Sequence, residues 1–149
     1  MQQVHPEVRI PYWDWVNARE IPAPLTDPAT LQRWSVTRGT FDATLLPTQG
    51  LVDEVLKLTP FVAFQGHLEA LHNPVHNAVG GDMGTARSPN DPLFFLHHAN
   101  IDRLWATWED SPQNSNPPHA TDDLQPTGPI ISGTVSDVLS VNTLGYSYE

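Results

Sequence analysis

A mainly α-helical single domain with long, proline-rich connections and little sheet is the fold class that this sequence predicts, on three observations. Between Asp91 and Trp108, Phe94, His98, Ile101, Trp105 and Trp108 recur at steps of four and three, the spacing of one helix face. Leu51, Val52, Val55, Leu56 and Leu58 repeat that spacing further upstream. Fifteen prolines among 149 residues, about twice the average usage, confine regular structure to a few helices separated by irregular chain.

Taken in order, residues 5–30 read as extended and loop structure, with "RIPYWDW" β-prone and Pro22, Pro24 and Pro28 forbidding a continuous helix. Asp27 before Pro28 has the form of an N-cap and first helical residue, which predicts a short helix over 28–33. The apolar run from Leu51 predicts a helix reaching Thr59. A further helix starts at Pro60 and ends near Ala70. Asn73 as N-cap with Pro74 behind it predicts a separate short helix that stops at Gly80-Gly81. The helix with the strongest signal opens at Asp91-Pro92 and ends near Asp110. Residues 111–129 form a proline- and asparagine-rich loop, and "VSDVLSVNTLGYSYE" predicts a brief helical turn followed by a strand.

Composition removes several function classes. No cysteine is present, which excludes disulfides, thiolate metal sites and cysteine nucleophiles. The formal net charge is −10, with Lys57 the only lysine beside six arginines. A chain this acidic repels phosphate backbones, so no nucleic-acid partner is expected. No apolar run approaches the roughly 18 residues of a membrane helix. The opening "MQQVHPEVRI" shows neither a charged n-region nor an apolar h-region, so no export signal is expected there.

Five of seven histidines (His67, His72, His76, His97 and His98) fall between residues 67 and 98. His72 and His76 are four apart, so on a helix both address one point. His98 arrives from the next helix on its apolar stripe, while His97 lies about 100° around that helix. A single histidine on an apolar face is ordinarily a hydrogen-bonded core residue. Three at this spacing suit a borderline metal such as copper or zinc, because one ion satisfies all three buried imidazoles. The residues between His72 and His76 are Asn73, Pro74 and Val75, so the H-E-x-x-H zinc-protease motif is absent.

"LHNPVHNAVGGDMG" followed by "SPNDPLFFLHHANIDRLWATW" resembles the second copper-binding half (CuB) of the type 3 copper family, comprising tyrosinases, catechol oxidases and haemocyanins. "IPYWDW" at 10–15 and "LGYSY" at 144–148 extend the resemblance over nearly the whole chain. It implies the CuB half of a four-helix bundle, with His72, His76 and His98 as the copper ligands. It also implies that His97 packs beside the site without binding metal. Asp102, one turn after His98, either accepts a hydrogen bond from an imidazole or pairs with an arginine such as Arg103. His5, His67 and His119 match no ligand position. Glu69 and Asn73 match in order, over a short interval, a glutamate and an asparagine that orient a phenol-deprotonating water in tyrosinase-like members. Asn73 equally has the helix-capping role.

The resemblance implies an oxidoreductase that converts phenols or catechols to quinones with dioxygen. The alternatives are haemocyanin-like oxygen binding and a half-domain without activity. Family members bridge dioxygen between two coppers, each on three histidines, and the first set (CuA) lies ahead of the "PYWDW" segment. Only nine residues precede Ile10 here. The expectation is therefore one CuB domain over 1–149 that lacks CuA and exposes an apolar patch where the CuA helices would pack. It either lacks activity alone or completes its site with a CuA-bearing partner or, less expected than loss of activity, a second copy of itself.

Overall fold

A computed structural model describes residues 9–112, 114, 117–125 and 132–148. Their helices are α1 (Pro28–Arg33), α2 (Gln49–Leu56), α3 (Phe61–Val79), α4 (Leu93–Glu109) and α5 (Val141–Leu144), with 3-10 turns between them. No strand occurs among the described residues, only an isolated antiparallel bridge between Asp123 and Thr134. The fold is mainly helical. No helix among these residues is long and apolar enough to cross a membrane.

Local chemistry sets most of the helix ends. The Asp27 carboxylate accepts from Thr30 N at 2.9 Å and Pro28 opens α1, as the sequence predicts. Thr48 caps α2 by accepting from Leu51 N. That helix stops at Leu56 rather than Thr59, because the residue before Pro60 is driven away from helical ψ. The strand expected at the C-terminus does not form. Tyr146 and Tyr148 instead send their hydroxyls to Asp102 on α4.

The largest departure from the sequence reading concerns α3. Two helices, one ending near Ala70 and one capped by Asn73, are a single 19-residue helix with Pro74 inside it. Proline there deprives the Ala70 carbonyl of its intrahelical donor, but Ala70 is exposed, where an unpaired carbonyl costs little. The buried positions Phe64, Leu68, Leu71, Val75 and Ala78 run through the proline without a break. Burial of that stripe outweighs one lost hydrogen bond.

On α4 the fully buried stripe is Leu93, His97, Asn100, Leu104 and Trp108. The stripe read from hydrophobicity is displaced from it by one residue: Phe94, His98, Ile101 and Trp105 are only partly buried. Two polar members, His97 and Asn100, disguise the true core face in the sequence. His97, not His98, is the completely buried imidazole.

The two long helices pack antiparallel. Phe64 near the start of α3 stacks on Trp108 near the end of α4, with ring centroids 4.1 Å apart and planes 6° from parallel. Trp108 Nε1 also donates to Leu58 O at 2.8 Å. At the opposite end of the seam, His76 of α3 meets Phe94 and His98 of α4. The "PYWDW" segment crosses α4, with Trp13 N donating to Leu96 O at 3.0 Å and both Trp13 and Trp15 buried.

A second lock holds the start of α4. Arg38 grips the fully buried Asp91 with Nε and Nη2, at 2.6 and 2.7 Å, and sends Nη1 to Leu25 O. The same carboxylate accepts from Leu93 N at 2.9 Å. At the end of α3, Asp82 N donates to Thr37 O at 2.8 Å across a turn in which Gly81 has φ +58°. A Cβ on Gly81 would stand 2.3 Å from Thr37 O, so only glycine fits.

The exposed face of α3 (Gln65, Gly66, His67, Glu69, Ala70 and Asn73) is small and polar, with Val62 its one large apolar residue. Other large exposed apolar side chains lie on the neighbouring helices, Leu51 on α2 and Phe95 on α4.

Arg38→Met, which strands the buried Asp91 carboxylate, is expected to lower the unfolding free energy by roughly 3–5 kcal/mol. Arg38→Lys should recover little of it, because an ammonium cannot reproduce the two-pronged grip. Urea denaturation of both variants checks this.

Candidate metal centre

Each clustered imidazole owes its position to a buried stripe. His72 and His76 follow Leu71 and Val75, and His98 follows His97, so all three sit one residue past a core position. About 100° of rotation per residue carries them from the packed interface to its rim. There they are half-buried and border open space.

His72 Nε2 is the hub. It lies 2.9 Å from His76 Nε2 and 3.2 Å from His98 Nε2. Two nitrogens about 2.0–2.1 Å from one shared ion would stand about 2.9–3.4 Å apart at right-angle to tetrahedral geometry. Both separations fall in that interval. The far sides of the rings define the protons. His76 Nδ1 lies 2.8 Å from Met83 O, an acceptor only, so Nδ1 carries the hydrogen and Nε2 presents a lone pair. His72 Nδ1 is tied to Asn73 Oδ1 at 3.0 Å in the same sense. Two lone pairs facing at 2.9 Å repel unless a cation lies against both. An all-imidazole donor set of this kind fits copper.

Ring nitrogens of His72, His76 and His97 also fall within 4.8 Å of one another. Among the described residues, the triad whose ring nitrogens all lie that close to one another therefore holds His97, whereas His98 approaches the cluster through His72, at 3.2 Å. The His97 ring lies flat on that of His72, centroids 4.9 Å apart and planes 16° from parallel. Its Nδ1 accepts from Trp15 Nε1 at 3.2 Å, and its Nε2 is buried without a hydrogen-bond partner. Trp15 was not among the residues that the sequence marked for the site. The only signal for it was its place in the aromatic "PYWDW" run.

Beside the cluster lies an open cleft of about 350 Å3 lined by His72, Asn73, His76, Asn77, Met83, Gly84, Thr85 and Ser88. Asn73 therefore has a place at the cleft mouth, and the continuity of α3 removes its helix-capping role. Glu69 is exposed, accepts from Gln65 Nε2 at 3.4 Å and does not line the cleft. Asp102 is expected to meet an imidazole or an arginine; the contacts found on it come from elsewhere. It accepts from the hydroxyls of Tyr146 and Tyr148, because the "GYSY" segment packs over this turn of α4. His67 bonds Ala63 O on its own helix, and His119 pairs with Asp122 at an exposed site. His5 lies outside the described residues.

Burial, and then repulsion from neighbouring imidazoles, favours the neutral forms of His97 and His98. His97 is pushed down to about 2 and His98 to about 4, in each case mainly by desolvation and then by positive charge on neighbouring histidines. His76 is lowered by burial, against the Met83 carbonyl, which favours its protonated form. Below the ordinary histidine value of 6.5 the unfolded chain therefore binds protons that the folded chain refuses. Stability of the metal-free protein should fall as pH drops from 6.5 through about 4. Thermal midpoints with chelator present should show that slope, and His98→Gln should flatten it.

Comparison with known proteins adds an independent line. A family model described as the common central domain of tyrosinase matches residues 27–111, more than half the chain. A tyrosinase of Streptomyces lincolnensis is 35% identical over 73% of this chain and 56% of its own length. Haemocyanin G-type, units Oda to Odg, of Enteroctopus dofleini is 32% identical over 69% of this chain and 4% of its own. Grixazone synthase of Streptomyces griseus is 28% identical over the full chain and 74% of its own length. The chain spans about half the length of the tyrosinases it matches.

Proposed function

Because this chain belongs to the tyrosinase family of type 3 copper proteins, we propose that it is the CuB module of a copper oxidoreductase that oxidises phenols or catechols with dioxygen. The family is copper-dependent and its enzymes are oxidoreductases. The observation that carries the reading is the approach of His76 Nε2 and His98 Nε2 to His72 Nε2, at 2.9 and 3.2 Å, with His72 and His76 lining an open cleft. His72, His76 and His98 are the proposed ligands. Bound copper supplies one-electron chemistry towards dioxygen.

The remaining chemistry falls to the chain. Met83 O and Asn73 Oδ1 hold the Nδ1 protons of His76 and His72, which fixes each ring's tautomer and aims its lone pair. A cleft of about 350 Å3 accepts a single aromatic ring. Glu69 and Asn73 are four apart and share one face of α3. We assign Asn73, which lines the cleft, to hold the water that would take the phenol O–H proton; Glu69 lies outside the cleft lining and would act only through that water. A second three-histidine set, carried by a CuA-bearing partner or by a second copy, completes the two-copper site in this reading.

Haemocyanin-like oxygen binding is the second reading, favoured by the match to a haemocyanin. A diphenol added to the copper-loaded, complete assembly separates the two. Quinone absorbance marks the oxidase, and reversible oxygen uptake without quinone marks the carrier.

His98→Ala should weaken copper(I) binding by more than about 100-fold. Asn73→Ala, which removes only an outer partner, should cost about 10–100-fold. Competition titration against a chromophoric chelator measures both. Equal affinity of wild type and His98→Ala would overturn the ligand assignment. Glu69→Gln should slow monophenol oxidation about 10²-fold or more, the usual loss when a general base is removed. Steady-state rates on a matched phenol and catechol pair check it.

A further inference from the structure

His97 and His98 are chain neighbours, both bring a ring nitrogen close to His72, and distance alone does not choose between them. We propose that Trp15 makes the choice: its indole N–H locks His97 into the Nε2–H tautomer and so excludes it from the ligand set.

The argument uses only donors and acceptors. Tryptophan Nε1 always donates. At 3.2 Å from His97 Nδ1 it requires a lone pair on that nitrogen. A neutral imidazole has one N–H, which must then be on Nε2, and a protonated nitrogen cannot bind a metal. Nε2 is buried and no donor is bonded to it, so nothing competes for a lone pair there. His98 is under no such constraint, and its Nε2 lies 3.2 Å from His72 Nε2.

The choice has a consequence for access. A metal on His72, His76 and His97 would draw on a completely buried ring, whereas His98 is half-buried at the rim of the seam. Trp15 thus keeps the metal beside the cleft and leaves His97 as a wall stacked against the His72 ring. Trp15 is a positioning residue, acting through His97. The consequence for the metal rests on the copper reading above. The tautomer does not.

Long-range 1H–15N correlation spectra of 15N-histidine-labelled, metal-free protein read each ring's tautomer directly. The expected result for His97 is a donor-type Nε2 and an acceptor-type Nδ1. A His97 ring with its hydrogen on Nδ1 would overturn the proposal without any variant. Trp15→Phe keeps an aromatic ring in the pocket and removes the N–H. His97 is then expected to shift towards the Nδ1–H form, and an unchanged Nε2–H signal in the folded variant would also overturn the proposal. Anaerobic loading with copper(I) should move the His98 Nε2 resonance and spare His97 in the wild type. In Trp15→Phe it should perturb His97, and a His97 that moves already in the wild type counts against the lock. Failure of both proteins to bind copper(I), with His97 still in the Nε2–H form, would defeat the copper reading and leave the lock standing.

Discussion

The antiparallel seam between α3 and α4 is the constraint on which the histidine cluster depends. Phe64 stacked on Trp108 fixes one end of it, and the helices hold their register from there to the imidazoles. Neither helix could build the cluster alone. His72 and His76 share one helix face because they are a turn apart, but the third nitrogen comes from a helix that begins 14 residues after α3 ends. A shift of one residue along the seam, about 1.5 Å, is half the 2.9–3.2 Å separation of the Nε2 atoms. Aromatic packing at one end is therefore tied to donor geometry at the other.

The chain between the two helices is held at both ends. Arg38 and Asp91 bind the segment ahead of α2 to the start of α4, and Gly81 lets the end of α3 pass against Thr37. That path carries the Met83 carbonyl to His76 Nδ1. A backbone oxygen in a 3-10 turn so becomes part of the metal centre, since it decides which nitrogen of His76 carries the proton. The same principle operates across the core at Trp15 and His97. In both places a hydrogen bond on the far side of a ring determines what the near side offers.

Polarity on the buried face separates this seam from ordinary helix packing. His97 and Asn100 occupy core positions of α4, and each leaves one nitrogen without a partner. Arg103 Nε donates to Asn100 Oδ1 at 2.9 Å, and its guanidinium lies over the Tyr12 ring. The "PYWDW" segment is thereby joined to α4 through polar contacts as well as through Trp13 and Trp15. Buried polar groups cost stability unless satisfied. Their presence on this face fits a surface shaped by the imidazoles it supports.

The sequence by itself determined the helical class, the starts of α1 and α4, and the meeting of His72 and His76 on one face of a helix. These depend on local rules: caps and prolines act within a turn, and four-residue spacing puts two side chains on one face wherever the helix lies. The tertiary structure decided what local rules cannot reach. Burial of a continuous stripe carried α3 through Pro74, although proline and a capping asparagine in sequence argue for a break. Contact with α3 and Trp15 turned the core face of α4 by one residue, because two polar side chains sit where a hydrophobicity pattern looks for apolar ones. Asp102 found tyrosines more than 40 residues away instead of its near neighbours. The partner of His97 lies 82 residues away in the chain, a separation at which only folding brings two side chains together.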